Sequence, residues 1–274
     1  MRTSPHALFD LWIQAMASVA EQRRSRILME LGRAQSLRVN ELSDRLGVSE
    51  VSIRRDLQIL EDIGLLKRVY GGAVAIPDQK VGEALSTRWY RNLEKKESIG
   101  RAAAAMIQRG DHLIIDSGTT PLQVARHIAP ELLATGNLTV ITASLPIGRE
   151  VGSHPGVHLI LLGGVYLPTY DLVVGPQTID NLKNLHADKL FLGTDGLTFT
   201  QGITTANVLE AEVDRAMVNA SGQVIVVADS SKIGVIGLAT IIPLTEIDKL
   251  VTDSEAPQDF VWELRQQGVE VILV

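Results

Sequence analysis

Residues 46–74 read LGVSEVSIRRDLQILEDIGLLKRVYGGAV, and this stretch decides the fold of the N-terminal part of the chain. Gly47 stops a helix, Val48 fills the turn, and Ser49 is a residue type whose side-chain oxygen caps the free N–H groups of a following helix. That helix runs to about Ile63. Ile53, Leu57 and Leu60 recur at i, i+4 and i+7 and form its buried face. At 3.6 residues per turn, Arg55 lies roughly 200° from Ile53 and points away from that face. Arg54 and Gln58 flank it, and Ser49, Glu50, Val51 and Ser52 occupy the helix start. These are the positions that meet base edges and phosphates when a helix enters the major groove.

Upstream, Ile27, Leu28 and Leu31 mark the apolar face of a first helix that ends near Gly32, and Val39, Leu42 and Leu46 that of a second. Helix, tight glycine turn, helix is the arrangement in which one helix braces the next against DNA. Downstream, Gly64 to Val74 places two short apolar runs around a basic pair and a double glycine. That suits a β-hairpin wing, with Lys67 and Arg68 near the DNA backbone.

The segment from Arg24 to Ala73 resembles the DeoR family of bacterial regulators. The resemblance is carried by Glu41-Leu42, Leu46-Gly47-Val48-Ser49, Ile53-Arg54-Arg55-Asp56-Leu57, Leu60-Glu61 and Gly71-Gly72-Ala73. It implies a winged helix-turn-helix and a double-stranded DNA operator as partner. Two positions depart from the family pattern. Ser52 stands where Thr is usual and keeps the hydroxyl; Tyr70 stands where His is usual and alters a wing contact.

The whole chain has 274 residues, room for two domains, and only 4% aromatic residues, so its core is aliphatic. The absence of cysteine excludes disulfides, thiolate catalysis and cysteine zinc sites. His154 and His158 are separated by Pro155 and Gly156, which makes a loop, so no metal site and no cofactor are expected. The net charge of −6 is unevenly spread: residues 1–76 hold 11 Lys and Arg against 9 Asp and Glu, residues 77–274 hold 15 against 23. A basic module on an acidic one is compatible with DNA binding, which depends on local phosphate contacts. Leu8, Phe9, Leu11, Trp12, Ile13, Met16 and Val19 form an apolar stretch that Asp10 and Gln14 interrupt. It is too short to span a membrane and lacks the features of a signal peptide, so it reads as an extra amphipathic helix, or synthesis starts at Met16. The expected location is the cytoplasm, with no membrane partner. The expected domains are an N-terminal extension over 1–21, a winged helix-turn-helix over 22–75, a linker over 76–94 anchored by Trp89 and Tyr90, and an α/β domain over 95–274.

In that last part, apolar runs at Leu113–Ile115, Leu138–Thr142, Val157–Leu162, Lys189–Leu192, Val224–Ala228, Lys249–Thr252 and Val269–Val274 alternate with amphipathic segments such as 119–134, 206–220 and 258–267. This alternation argues for a Rossmann-like α/β domain with a mostly parallel sheet. Chemistry in such a sheet lies beyond the strand C-termini. The first run is followed by Asp116, Ser117, Gly118, Thr119 and Thr120 at a helix start, which favours an anion. Thr142, Gly163-Gly164, Asp195-Gly196 and Asp229-Ser230-Ser231-Lys232 follow others. Lys232 supplies a point charge suited to phosphate, and Asp116 and Asp195 can bind sugar hydroxyls.

The resemblance extends over residues 93–254, on Asp116 to Thr120, Gly163-Gly164, Asp195-Gly196, Glu210-Ala211-Glu212 and Asp229 to Lys232. These match the sensor domain of the DeoR family, whose fold resembles ribose-5-phosphate isomerase. The resemblance implies a phosphorylated sugar effector and a homo-oligomer, dimer or tetramer, that releases DNA on binding it. Ala143 stands where Asn is usual after Thr142, a change that bears on which effector fits. The alternative is a sugar-phosphate isomerase fused to a DNA-binding domain, with Glu212 as its base beside Asp195 and Lys232.

Overall fold

The computed structural model describes residues 19–24, 26–28, 30–31, 34, 36–75, 85–135 and 137–274. The stretch from Leu8 to Met16 and residues 76–84 of the linker lie outside the described residues. The chain divides into two compact units, one of residues 1–79 with 86–94, the other of residues 80–85 with 95–274.

In the first unit, residues 19–24, 26–28 and 30–31 are helical. There follow β1 (Ser36–Arg38), α1 (Val39–Leu46), α2 (Glu50–Asp62), β2 (Leu66–Val69) and β3 (Gly72–Ala75). Ile27, Leu31, Leu42, Ile53, Leu57 and Leu60 are buried in one core, which joins the three apolar helix faces read from their periodicity. Gly47 ends α1 in the left-handed region at φ 65°, and the Ser49 hydroxyl accepts from the Ser52 N–H to start α2. β1 was not legible: it is three residues long and exists by pairing with β3, in the order β1-β3-β2.

The double glycine of the wing serves two separate needs. Gly71 takes φ 76° in the two-residue turn between Val69 and Gly72, a conformation that L side chains rarely adopt. Gly72 lies against β1, where a Cβ would sit 2.2 Å from the Leu37 carbonyl oxygen.

The second unit carries α3 (Leu85–Arg88), α4 (Leu93–Ala104), β4 (His112–Ile115), α5 (Thr119–Arg126), α6 (Pro130–Ala134), β5 (Leu138–Thr142), α7 (Leu145–Gly152) and β6 (Val157–Leu161). The first residues of α4, and all of α3 after Leu85, are counted with the first unit. Next come β7 (Val165–Leu167), β8 (Leu172–Val174), α8 (Pro176–Leu182), β9 (Lys189–Leu192), β10 (Gly196–Thr198), β11 (Gly202–Thr205), α9 (Val208–Asn219) and β12 (Val224–Val227). The unit closes with β13 (Ala239–Ile242), β14 (Lys249–Thr252), α10 (Gln258–Gln266) and β15 (Glu270–Leu273).

The seven apolar runs are the seven strands of one parallel sheet, in the order β15-β14-β12-β9-β4-β5-β6. Its inner strands are buried on both faces, so they read as continuous Val, Ile and Leu. From β4 the chain first builds outward through β5 and β6, then returns to the other side of β4 with β9. The crevice beyond the C-termini of β4 and β9 is therefore the topological switch point, where open α/β sheets place ligands. A small antiparallel sheet, β10-β11-β13, and a hairpin, β7-β8, complete the unit. Their strands are too short and too mixed to be read by periodicity.

Gly72→Ala is expected to destabilise the first unit by about 1–3 kcal/mol, the usual cost of forcing an atom into filled space. Urea unfolding followed by circular dichroism measures it. An unchanged midpoint would mean that β1 is free to move aside.

Candidate DNA interface and effector site

On α2 the side chains divide cleanly. Arg55 is exposed, and among the described residues its guanidinium has no hydrogen-bond or ion-pair partner. Arg54 is exposed but rests on Glu50 one turn earlier, at 2.7 Å. The Gln58 amide donates to Asp62 at 2.8 Å and accepts from the Arg68 guanidinium, while the Arg68 N–H donates to Glu61 at 2.8 Å. The wing is thus tied to α2 at Arg68, which the sequence reading assigned to the DNA backbone alone. Lys67 and Tyr70 are exposed on the wing, Tyr70 at its tip. Ser52 closes the helix start against Ser49, its hydroxyl 3.0 Å from the Ser49 hydroxyl.

Asp56 is the residue of this block whose part sequence reasoning missed. It faces inward, 2% exposed, and accepts from Arg23 Nε at 2.5 Å and Arg24 Nε at 3.0 Å. Arg24 also donates to the Tyr90 hydroxyl, and its guanidinium carbon lies 5.3 Å from the Tyr90 ring centre. The pattern Arg-Arg-Asp on α2 therefore sends two cations outward and one anion inward. The inward carboxylate holds the helix to the segment before it.

In the second unit, the strand-end loops meet at the switch point. Asp116 leaves β4 and accepts the Gly193 N–H at 3.0 Å, across to the loop after β9. A Cβ on Gly193 would lie 2.9 Å from the Ser117 carbonyl oxygen, so only glycine allows this approach. The Ser117 hydroxyl donates to Glu210 Oε1 at 3.1 Å. The Thr205 hydroxyl donates to Glu210 and lies 3.3 Å from Asp195, which also accepts the Ala206 N–H at 3.0 Å. Asp195-Gly196 touches the segment after Lys232: Gly234 N–H donates to the Leu197 carbonyl at 2.9 Å, and Gly196 packs against the Val235 backbone. Asp116, Ser117, Thr119, Thr120, Asp195 and Glu210 are all buried. Lys232 is half-buried, and its ammonium has no partner among the described residues.

One expected site residue lies apart from this cluster. Glu212 is exposed, whereas Glu210 and Asp214 are buried on the side of α9 that meets Asp116 and Ser117. The reason is helical spacing: positions 210 and 214 are one turn apart on the same face, and position 212 is about 200° from 210. Two other expected positions are not joined to this cluster by any hydrogen bond among the described residues. Thr142 is buried and its hydroxyl accepts the Ser144 N–H at 3.1 Å. Gly163-Gly164 packs on α8, where Thr178 donates to the Gly163 carbonyl at 3.0 Å.

Four carboxyl groups, Asp116, Asp195, Glu210 and Asp214, are thus buried near one another. Burial first, and the charge of Glu210 second, push Asp116 up to about 7. Burial first, then the Asp116 charge, raise Asp214 well above the usual carboxylate range, and it donates a hydrogen bond to Asp116. A carboxylic acid that keeps its proton in such a cluster is a donor as well as an acceptor, which suits a polyol.

With this geometry, comparison with known proteins is direct. The family model described as the DeoR-like helix-turn-helix domain matches residues 23–79, and that of the DeoR C terminal sensor domain matches residues 91–254. The chain belongs to the DeoR family. It is a DNA-binding transcription regulator with a sensor domain. It is 33% identical to the HTH-type transcriptional repressor GlcR of Bacillus subtilis, over 92% of this chain and 96% of that protein. It is 32% identical to the HTH-type transcriptional regulator GolR of Listeria innocua, over 91% and 97%. To the transcriptional repressor AccR of Agrobacterium fabrum it is 33% identical over 85% and 90%. A ribose 5-phosphate isomerase from Plasmodium falciparum superimposes with a TM-score of 0.39 at 18% identity, over 53% of this chain and 55% of that one, and adds nothing to the assignment.

Arg55→Ala is expected to cost about 1–3 kcal/mol of operator affinity, the range for a good bidentate base contact. A gel shift at fixed salt measures it; a folded variant with full affinity would remove Arg55 from the interface.

A second expectation concerns pH. The raised Asp116 binds its proton in the folded state up to about 7, but only to about 3.8 unfolded, so its contribution to stability is lost as pH rises through that window. Asp214→Asn removes a second carboxyl whose proton is held more tightly in the folded state, and so its share of the pH dependence, while keeping a donor toward Asp116. Unfolding midpoints at pH 5 and pH 8 should therefore differ less in the variant than in the parent protein. An equal drop in both would separate the two carboxyls.

Proposed function

We propose that this DeoR-family regulator represses genes of carbohydrate use and leaves its operator when a phosphorylated sugar binds at the switch point of the larger unit. In this reading residues 22–75 bind DNA, residues 76–94 link, and residues 95–274 sense the effector. The observation that carries it is the cluster of four buried carboxyls at the switch point, with the Lys232 loop following β12, the strand next to β9. Four buried carboxyls around Asp116 and Asp195 suit sugar hydroxyls and would repel a phosphate. In this reading the phosphate is held by Lys232, Thr119, Thr120 and the N-terminus of α5, whose first N–H groups are free of helical partners.

Repression is supported by the relatives named as repressors. A helix-turn-helix reads two half-sites as a symmetric dimer, which supports a homo-oligomer, dimer or tetramer. Among the described residues no helix is long and apolar enough to cross a membrane, and a DNA-binding protein works where the chromosome is, in the cytoplasm. The isomerase reading is disfavoured because its base candidate, Glu212, is exposed.

Calorimetry with ribose 5-phosphate, glucose 6-phosphate and glycerol 3-phosphate, each against its unphosphorylated parent, tests the reading. At least one phosphate should bind, and its parent should bind at least about tenfold more weakly, about 1.4 kcal/mol. Lys232→Ala should lose that difference, keep its operator affinity and stay on DNA when the phosphate is added. Equal affinity for sugar and phosphate would refute the phosphate site.

A further inference from the structure

Helix α4 crosses the boundary between the two compact units: Leu93 and Glu94 belong to the first and Lys95 opens the long run of the second. Lys95 lies in no motif, yet its ammonium is 25% exposed and makes three contacts. It donates to Asp253 Oδ1 at 2.9 Å, to Glu255 Oε2 at 2.8 Å and to the Ser230 hydroxyl at 3.1 Å. Ser230 in turn donates its N–H to Asp253 Oδ2 at 2.6 Å and its hydroxyl to Asp253 Oδ1 at 2.9 Å. Lys95, Ser230 and Asp253 therefore close a ring of hydrogen bonds, with Asp253 6% exposed at the end of β14.

Ser230 is also the first residue of the 3₁₀ turn Ser230–Lys232, the loop that holds the uncommitted ammonium. Lys232 N–H donates to the Asp229 carbonyl at 3.0 Å, and Asp229 accepts the Ser231 N–H at 3.1 Å. These bonds tie Lys232 to Ser230 within one turn, two residues from the ring at Asp253 and Lys95. Burial works against the Lys95 charge, but its bonds to Glu255 and Asp253 outweigh that and hold it above the usual lysine range. It is a cation throughout the physiological range.

Just before Lys95, within the first unit, Glu94 pairs with Arg26 at 3.5 Å, and Tyr90 accepts from Arg24, which grips Asp56 on α2. The chain from Tyr90 to Lys95 is thus fixed at its start to the residues that hold α2, and at its end to the Ser230 loop. We propose that Lys95 is the positioning residue that couples the Asp229–Lys232 loop to the DNA-binding unit. The proposal rests on the reading of that loop as part of the effector site. An effector that draws Lys232 inward shifts Ser230, loosens the ring at Lys95 and displaces the first turn of α4.

Coupling between two sites is reciprocal, so DNA is a usable probe whatever the effector proves to be. The experiment is hydrogen–deuterium exchange of the full chain with and without a duplex of the promoter DNA adjoining its own gene. In the parent protein, DNA should change exchange in the peptide spanning Asp229–Ile233 about fivefold or more, the lower end of ordinary coupling. Lys95→Met should abolish that change while still binding the duplex; Lys95→Arg, which keeps the cation, should restore it. Ser230→Ala leaves the Lys95–Asp253 pair in place and should also uncouple, which covers the case of a Lys95→Met chain that does not fold. A DNA-dependent change of parental size in Lys95→Met or in Ser230→Ala, or none in the parent protein, overturns the proposal. Failure of the effector reading shows elsewhere, in calorimetry without any phosphate-dependent binding.

Discussion

The Asp116 carboxylate accepts the Gly193 N–H across the point where the sheet changes direction, and the chemistry of the larger unit is arranged around that bond. β4 and β9 are neighbours in space but 70-odd residues apart in the chain, and their C-terminal loops meet where the sheet changes direction. Gly193 must be glycine for Ser117 to come close, and Ser117 then reaches Glu210 on α9. Through Thr205, Glu210 reaches Asp195, and beyond Gly196 lies the segment that follows Lys232. Each link is a short polar contact made at the end of a rigid, buried strand.

Concentrating four carboxyls in such a place is unfavourable for charge and useful for recognition. Burial and mutual repulsion keep protons on Asp116 and Asp214 that exposed carboxyls would lose. The cluster holds both donors and acceptors, the chemistry that the proposed polyol contact calls for, and Lys232 lies on a different loop.

The smaller unit repeats the same logic in one residue. Asp56 is a buried carboxylate whose two guanidinium partners come from the segment preceding α1, so the helix that carries Arg54 and Arg55 is fixed by charge as well as by Ile53, Leu57 and Leu60. Removing one partner of a buried pair leaves an uncompensated charge, a larger loss than a surface bridge would bring. The orientation of the DNA-facing side chains therefore depends on residues that face away from DNA.

Much of this was written locally in the chain. A 3.6-residue periodicity marks the helices of the first unit and continuous apolar runs mark the seven strands of the large sheet, because burial on one face or two imposes a pattern on neighbouring residues. Ser49, Gly47 and Gly71 declare their caps and turn for the same reason: each obeys a rule that acts within a few residues. The loops after the strands could also be picked out as polar and small. What the pattern could not decide was which of them meet. Glu210 and not Glu212 faces the cluster, Thr142 spends its hydroxyl on its own turn, and β1 and β13 exist only as partners of strands distant in the chain. Asp56 with Arg23 and Arg24, and Lys95 with Ser230 and Asp253, are likewise pairings between separate segments. Local sequence determined the elements and their capping because those forces are short in sequence; the shared protons, the inward carboxylates and the link at Lys95 were decided by tertiary structure, because they arise only when the sheet order brings remote loops together.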